Sequence, residues 1–224
     1  MDIFETFLNC RVFVQTLPLI LSGLSTTLLL GFTSIVLGMA IGLSLAITRL
    51  YAARPARWLA IAYIDIFRAI PILVFLIIVY YALPFVGIRL SAFAAAATAI
   101  SMVGGAYSGE IFRAGIEAVP AGQFEAARAL GLKPWLVMLR VVLPQAMKIV
   151  LPPTTSNAIN ILKDTALASV VAMPDLLKQA TQAQALTANP TPLIVGAAVY
   201  LIILLPLVRL VGVMERRWAA EGRK

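Results

Sequence analysis

Five long apolar runs dominate the sequence and constrain its fold more than any other feature. The first three extend over 17–47, 58–86 and 90–116, the fourth lies within 136–167 and the last extends over 193–213, and most of the charged residues lie outside them, in the connecting segments and near the two ends. Each run provides the roughly 20 residues with which a helix crosses the hydrocarbon core of a membrane. Because that core offers the backbone no hydrogen-bonding partner, each run is expected to be helical. The sequence therefore predicts an all-α, polytopic membrane protein with about five transmembrane helices.

The distribution of basic residues predicts the orientation of the chain. Five spans place the two ends on opposite sides of the membrane. If the C-terminus is cytoplasmic, thirteen of the 18 Lys and Arg residues fall in inner segments, and only Arg11, Arg89 and Lys178 fall in outer ones. Because cytoplasmic segments are enriched in Lys and Arg, we expect the N-terminus outside and the C-terminus inside. Residues 1–16 are predicted to be an interfacial lead-in to the first span.

The composition excludes several kinds of site. The sequence contains no His and a single Cys, Cys10. His-dependent acid–base catalysis, Cys/His metal sites and a disulfide framework are therefore excluded within this chain. The net charge of +8 is interpreted as basic residues at the cytoplasmic face of a protein that contacts lipid. We expect neither a metal site nor a nucleic acid partner.

The segment between the third and fourth runs has the pattern of a short exposed helix. Residues 123–130 are mostly helix formers, with Glu125 in the expected first turn and Gly131 just past the expected end. Ala126 and Ala127 have small side chains that would let this helix enter a cleft on another protein. The pattern therefore predicts a docking helix on the cytoplasmic side.

Two small-residue motifs predict close helix packing. Gly38 and Gly42, and likewise Gly105 and Gly109, have the GxxxG spacing. Small residues let helix backbones approach closely in lipid, where packing drives association. We expect both motifs to pack helices within this chain rather than to form a dimer interface.

The docking segment resembles a known family. Glu125-Ala126-Ala127, followed by Gly131 and by Val141-Val142-Leu143-Pro144, resembles the EAA signature of membrane subunits of ATP-binding-cassette (ABC) importers. Four further runs resemble permeases of the polar amino acid type: 23–28 (GLSTTL), 67–74 (FRAIPILV), 109–116 (GEIFRAGI) and 162–170 (LKDTALASV). The resemblance extends over most of the chain, from Gly23 to Arg217.

The resemblance implies a fold, a function and partners. It implies a type I importer fold in which 1–224 is a single transmembrane permease domain and 118–135 is the cytoplasmic coupling segment. It implies transport of a polar amino acid across the bacterial cytoplasmic membrane, together with two cytoplasmic ATPases that use ATP and magnesium, a second permease subunit, identical or paralogous, and an extracytoplasmic binding protein. The residues to which it assigns coupling to the ATPase are Glu125, Ala126, Ala127, Gly131 and Pro144.

The residues also indicate that the chain is not itself an ATPase. No GxxxxGK[ST] loop occurs, nor any Gly-Lys pair, so the motif that cradles ATP phosphates is missing. Another subunit is therefore expected to supply the energy for transport through its contact with the docking helix. Phe124, Leu130 and Leu132 are expected to be buried in that contact. No cofactor is expected in this chain.

Two other function classes fit the sequence less well. A stand-alone ion-coupled carrier would be supported only by the charges inside the apolar runs, and it would leave the docking helix without a role. A membrane enzyme would need a set of nucleophile, base and orienting group, or metal ligands, and the sequence shows no such set. The importer permease is therefore the first hypothesis.

Six ionisable residues are predicted to lie within or at the edges of the membrane spans. At mid-membrane such a side chain costs at least ~2.5 kcal/mol, so each is expected to pair or to face a polar cavity. Two pairs with a spacing of three are predicted to neutralise themselves along their own helices. These pairs are Asp65 with Arg68 and Glu110 with Arg113, and the other two residues are Lys163 and Asp164.

Adjacent residues such as Lys163 and Asp164 point in different directions on a helix. Asp164 instead shares a face with Asn157 and Asn160, seven and four residues earlier, just beyond a predicted break at 152–153. This polar stripe suits a substrate that carries an ammonium and a carboxylate. We predict substrate contact there, with an interhelical hydrogen bond as the alternative.

Overall fold

The computed structural model describes residues 6–221, with side chains as far as Arg216, and this part of the chain is helical and has no strand. From Cys10 onward the α-helices are α1 (Cys10–Tyr51), α2 (Arg54–Ala69), α3 (Ile72–Ile77), α4 (Ala92–Glu117), α5 (Ala121–Ala129), α6 (Pro134–Val137), α7 (Leu143–Asp164), α8 (Leu176–Thr187) and α9 (Thr191–Glu221). Two π-helical turns, Ile78–Ala82 and Met138–Val142, and two 3-10 segments, Leu83–Val86 and Thr165–Val171, connect them. The all-α prediction is confirmed for these residues. The first residues of the expected lead-in, 1–5, lie outside the described part.

Within the described residues, three helical stretches are long and apolar enough to cross a membrane. They are α1, Pro134–Val171 and Thr191–Arg216, and α2 with Ile72–Val86 makes a fourth if the two parts form one broken span. The remaining predicted span corresponds to α4. Its 26 residues extend about 39 Å, enough to cross, but its many Ala, Gly and Ser residues make it less apolar.

Prolines explain where the regular α-helix is interrupted. A proline has no N–H, and its ring crowds the carbonyl group four residues earlier. For Pro84 and Pro144 that earlier residue lies in a π-helical turn, Ile78–Ala82 or Met138–Val142. The wider turn accommodates the missing hydrogen bond.

The predicted break at 152–153 is wrong. Pro152 and Pro153 both lie inside α7, which continues without interruption to Asp164. Neighbouring helices can support a transmembrane helix that loses backbone hydrogen bonds to proline. The residues after the two prolines therefore stay on one helix.

Contacts divide the described chain into two compact units. The first comprises 6–36, 70–101 and 159–209, and the second comprises 37–69, 102–158 and 210–221. The single permease domain over 1–224 stays a prediction.

The core of the first unit is built on the alanine-rich start of α4. Ala95, Ala96, Ala99 and Ile100 are fully buried and pack with Leu76 of α3. Small side chains here let the helices approach closely. A second apolar cluster in the same unit joins α1, α8 and α9 through buried Ile20, Leu176, Ala180 and Val195.

The second unit is held together by the two glycine motifs. A Cβ atom at Gly42 would lie 2.4 Å from the Cβ of Ser108, and one at Gly105 would lie 2.7 Å from Cγ2 of Ile41 and 3.2 Å from the carbonyl oxygen of Gly38. The motifs therefore belong to a single interface between α1 and α4. The prediction of packing within the chain is confirmed.

Candidate functional site

The coupling segment forms α5, which ends in a Schellman motif. Gly131 has a φ of 77°, a left-handed conformation that favours glycine. Its N–H donates to the carbonyl oxygen of Arg128 at 2.9 Å, and the N–H of Leu132 donates to that of Ala127 at 3.2 Å. These two bonds satisfy carbonyl groups that the helix end leaves free. The predicted helix-terminating glycine is confirmed.

The start of α5 differs from the prediction. The helix begins at Ala121, directly after Pro120, instead of at Gln123. Glu125 is therefore the fifth helical residue and lies beyond the first turn. It lies one turn before the C-terminal end of the helix, which Gly131 terminates.

The inner face of α5 packs against its own chain. Ala127 is only 5% exposed and belongs to an apolar cluster with Val119, Val137, Val142 and Ala146. The cluster anchors α5 to the helical turns that lead into α7. The small side chain of Ala127 therefore serves packing within this chain, and of the two alanines only Ala126 lies on the face that is open to a partner.

Two other residues expected at the partner contact also pack internally. Phe124 and Leu132 are partly buried against the same apolar cluster. Leu130, in contrast, is 82% exposed, and Trp135 is 61% exposed. An α-helix only nine residues long has to bury one face on its own chain to be stable. Some of its apolar side chains therefore pack within this chain and are not available to a partner.

The outer face of α5 is polar and open. Glu125, Ala126 and Arg128 are all exposed. Across residues 6–216, no ion pair forms between Glu125 and Arg128, so both charges are available to a partner. Pro144, the fifth coupling residue, is exposed at the start of α7 between buried Val142 and Ala146.

A groove of about 510 Å³ runs along α5 in the second unit. It is bounded by the ends of α1 and α4 and contains both acidic and basic groups. Its lining includes Leu50, Tyr51, Glu117, Phe124, Glu125 and Arg128. The outer face of α5 therefore continues into a concave, charged surface.

An ionic cluster borders this groove. Glu110 binds Arg113 on its own helix, as predicted, and it also binds Arg49 at the end of α1, with 2.6 Å between Oε2 and Nη1. Arg113 binds Glu117 as well. The negative charges of two carboxylates thus balance the positive charges of two guanidinium groups. The ion pair between Arg49 and Glu110 joins α1 to α4.

The predicted pairing of Asp65 with Arg68 is wrong. Both side chains are exposed, and no ion pair joins them within the described residues. The guanidinium carbon of Arg68 instead lies 5.4 Å from the ring centre of Tyr107 on α4. An arginine at this distance from an aromatic face is stabilised by a cation–π interaction.

Asn157 makes the interhelical contact that was the alternative to substrate binding. It is 8% exposed. Its amide nitrogen donates to the carbonyl oxygen of Gly104 at 3.1 Å and to Oγ of Ser108 at 2.9 Å. Both donor positions of the amide are therefore engaged with α4.

The remaining polar residues of the stripe have different surroundings. Asn160 and Lys163 are exposed, whereas Asp164 is half-buried at the end of α7. Asp164 makes no cap hydrogen bond and forms no ion pair with any described residue. Its carboxylate is therefore a half-buried acceptor without a counter-charge among the described residues.

Sequence reasoning missed two polar residues. The sequence identifies Arg49 only as a basic residue at the end of a span, because nothing local marks its partner 61 residues away. Asp175 is fully buried and caps α8, where its Oδ1 accepts from the N–H of Lys178 at 2.7 Å. The sequence Met-Pro-Asp-Leu-Leu carries a helix-start signal that could have identified this cap.

Comparison with known proteins shows likeness over almost the whole chain. The family model for binding-protein-dependent transport system inner membrane components matches residues 38–220. The probable amino-acid ABC transporter permease protein YckA of Bacillus subtilis is 38% identical over 176 residues, 79% of this chain and 78% of YckA. The arginine transport system permease protein ArtQ of the same organism is 36% identical over 206 residues, 91% and 94% of the two chains.

Solved structures show the same likeness. A crystal structure of an amino acid ABC transporter with histidines has a chain 38% identical to this one, with a TM-score of 0.85 over 91% of this chain and 96% of that chain. An inward-facing MetNI methionine ABC transporter is 22% identical, with a TM-score of 0.63 over 96% and 99% of the two chains, and shows likeness in fold. These structures confirm the type I importer fold implied by the EAA-like residues.

Proposed function

Because the chain belongs to the family of binding-protein-dependent transport system inner membrane components, as an amino-acid ABC transporter permease, we propose that it imports a polar amino acid using ATP hydrolysed by a partner subunit. The observation that carries this proposal is the exposed face of α5. Glu125, Ala126 and Arg128 project from a helix that is anchored by Ala127 and terminated at Gly131. A helix fixed in this way can transmit force from a partner to the spans.

The proposed partner at α5 is a dimer of cytoplasmic ABC ATPases. Support comes from the groove, where carboxylates and a guanidinium group stand beside apolar Leu50 and Phe124. Charged groups at such a surface set register and speed association, while apolar groups supply most of the affinity. ATP and magnesium would be bound by that partner, since this sequence has no phosphate-binding loop.

Two more partners complete the proposed complex. A second permease subunit, identical or paralogous, would complete the pathway, and an extracytoplasmic binding protein would deliver the amino acid. Lys and Arg are more frequent in the segments that lie on the same side of the membrane as the C-terminus than in those on the other side. This excess supports a cytoplasmic C-terminus in the bacterial inner membrane. Import is then the direction from the binding protein toward α5.

The proposed pathway uses Asp164 as its main polar contact. Its half-buried carboxylate lacks an ion-pair partner among the described residues, and a substrate ammonium would supply one. Asn160 is exposed on the same helix and can accept or donate a hydrogen bond. Asn157 acts differently in this proposal, because its bonds to Gly104 and Ser108 position the helix that carries Asp164.

The proposal is tested by reconstituting this chain with the ATPase, permease and binding protein encoded by neighbouring genes. We expect the ATPase to co-purify with the chain, and we expect the amino-acid-loaded binding protein to stimulate ATP hydrolysis. Failure of the ATPase to associate with the intact chain would overturn the coupling proposal. Association without stimulation by any amino acid would overturn the substrate class.

A further inference from the structure

The turn from α1 into α2, in the second unit, carries two basic residues that are open to a ligand. Arg54 and Arg57 are both exposed, and neither forms an ion pair with another side chain within residues 6–216. Nη2 of Arg57 lies 3.5 Å from the carbonyl oxygen of Leu50, so its guanidinium group reaches back to the end of α1. That contact engages one of the five N–H donors of the group. The other donors at this turn are available to an anion.

One face of α2 is an exposed apolar stripe that begins beside these arginines. Its members follow one another at intervals of four, three and four residues, which places them on one side of the helix. They are Pro55, Leu59, Ala62 and Ile66, and we call them the α2 stripe. All four are exposed, Leu59 to 73% and Ile66 to 59%. The buried face of α2 is the other one, which contains Ile64.

Trp58 lies between the arginines and most of the stripe, and it is 69% exposed. It follows Arg54 by four residues, so the two side chains are neighbours on one side of the helix. Tryptophan is enriched where a membrane meets water, because its ring is apolar and its N–H is polar. Trp58 therefore marks the level at which a polar environment gives way to an apolar one.

The order of these groups corresponds to one leaflet of a membrane. The end of α1 is expected on the cytoplasmic side, and α2 begins three residues after Tyr51. Ile66 lies about 18 Å along the helix axis from Arg54, comparable to the ~15 Å depth of the hydrocarbon in one leaflet. The surface thus has the length of one phospholipid, with the charged end at the cytoplasmic side.

We propose that this surface binds an anionic phospholipid of the cytoplasmic leaflet. Its phosphate group would be held by Arg54 and Arg57, and an acyl chain would follow the α2 stripe past Trp58. Guanidinium groups bind phosphate strongly because their N–H donors match its oxygen atoms in geometry and in charge. The head and the tail of a single lipid are both accommodated.

The local charge selects an anionic lipid over a zwitterionic one. Residues 50–64 include two arginines and no acidic residue, so they offer a phosphate two positive charges and offer an ammonium group no counter-charge. Asp65 comes next, about 16 Å further along the helix axis than Arg54. Glu117 lines the neighbouring groove but is bound to Arg113. Basic residues beside a membrane surface favour anionic lipids in this way.

A bound lipid would fix the turn between α1 and α2 beside the coupling groove. Leu50, whose carbonyl oxygen Arg57 contacts, also lines that groove. The lipid would therefore stabilise the border of a surface on which the ATPase is proposed to act. Lipid binding requires no ATP and no substrate, so its test can fail or succeed independently of the importer proposal.

The test uses the full-length chain, with the subunits that co-purify with it, in mixed micelles of detergent and phosphatidylcholine. Phosphatidylglycerol with brominated acyl chains is titrated in, and quenching of tryptophan fluorescence reports a brominated chain close to an indole ring. The difference between the wild-type chain and Trp58→Phe isolates Trp58 from all other tryptophans. We expect this difference to saturate with brominated phosphatidylglycerol. Brominated phosphatidylcholine should reach half-saturation only at a roughly tenfold higher concentration.

The two arginines are tested one at a time. Arg54→Gln and Arg57→Gln are each expected to raise the half-saturating concentration of brominated phosphatidylglycerol roughly fivefold, the factor for one basic residue at an anionic surface. Arg89→Gln is the matched control and should keep the wild-type value. Arg89 is also exposed and forms no ion pair in the described part of the chain, but it lies outside α2. Inorganic phosphate at the same concentration should not displace the lipid, because it has no acyl chain for the stripe.

Equal half-saturating concentrations for the two lipids would overturn the proposal, as would equal losses in Arg54→Gln and Arg89→Gln. Displacement by inorganic phosphate would show a site for a free anion and would overturn the lipid assignment. Absence of Trp58 quenching by either lipid in the intact complex would also overturn it, with the stripe covered by another subunit. Arg57→Gln decides the question if Arg54→Gln fails to assemble.

Discussion

Nη1 of Arg49 lies 2.6 Å from Oε2 of Glu110 and joins the end of α1 to α4 beside the coupling groove. Both side chains are about a quarter exposed, so solvent weakens the pair less than it weakens an ordinary surface ion pair. Glu110 also binds Arg113. The pair therefore connects the α1–α4 interface to the surface on which a partner is proposed to act.

We expect Glu110→Gln to destabilise the chain more than Glu117→Gln. Glu110 serves two arginines, whereas Glu117 serves one and is 52% exposed. A thermal double-mutant cycle with Arg49→Met should give a coupling energy of about 0.5–3 kcal/mol for Arg49 and Glu110. Additive effects of the two substitutions would show that the contact contributes nothing to stability.

Gly131→Val is expected to reduce ATPase stimulation because valine resists a φ of 77°. A left-handed residue other than glycine costs roughly 1–2 kcal/mol. Gly131→Asn should be milder, since asparagine tolerates this conformation. Gly122→Ala is the matched control: Gly122 and Gly131 both have open space around them, but only Gly131 has a positive φ. Equal losses in the valine and asparagine variants would contradict the backbone explanation.

The two alanines of the coupling helix should separate stability from docking. Ala127→Leu overfills the buried apolar cluster and is expected to lower the stability of the chain by about 1–3 kcal/mol. Ala126→Leu adds bulk on the exposed face and should leave stability unchanged while weakening association with the ATPase. Thermal unfolding and co-purification measure the two effects. Similar behaviour of both variants would show that the inward and outward faces of α5 are assigned wrongly.

Asp164→Asn is expected to weaken uptake without weakening assembly. Loss of a charge-assisted hydrogen bond of about 1.5–3 kcal/mol should raise the half-saturating substrate concentration roughly ten- to a hundredfold. Asn157→Ala should instead lower thermal stability, because it removes the bonds to Gly104 and Ser108. Unaltered uptake by an intact Asp164→Asn complex would rule out the substrate contact.

The pH dependence of the unfolding midpoint should reveal the titration of the Asp175 carboxyl group. Burial raises the pKa of its carboxyl group from 3.8 to about 6, although the N–H and the charge of Lys178 and the backbone of Ser169 oppose this rise. Because the folded state holds the proton more tightly, this stabilisation is complete below the unfolded pKa and is lost as the pH rises through about 6. At constant ionic strength the unfolding midpoint should fall over this range, and Asp175→Asn should remove that part of the fall. Parallel curves of unfolding midpoint against pH for the wild-type chain and Asp175→Asn would contradict this assignment.

Local sequence patterns predicted local structure well. The helix end at Gly131, the glycine motifs and the pairing of Glu110 with Arg113 all depend on residues a few positions apart, and all are present. Predictions failed where a residue on another helix competes for a side chain that the local pattern assigns to a neighbour in sequence. A spacing of three placed Asp65 beside Arg68, but Tyr107 competes for the arginine. The inward orientation of Ala127 likewise depends on Val142 and Ala146, which no local pattern links to it.

The most direct measurement of the central claim is amino acid uptake by proteoliposomes that contain this chain, its ATPase, its permease partner and the binding protein. ATP is supplied to the side that carries the ATPase, and ionophores collapse the ion gradients. We expect uptake to require ATP, to persist with ionophores present and to fall strongly in Glu125→Lys, which reverses a charge on the exposed face of α5. Uptake that proceeds without ATP and stops when the ion gradients collapse would contradict the account.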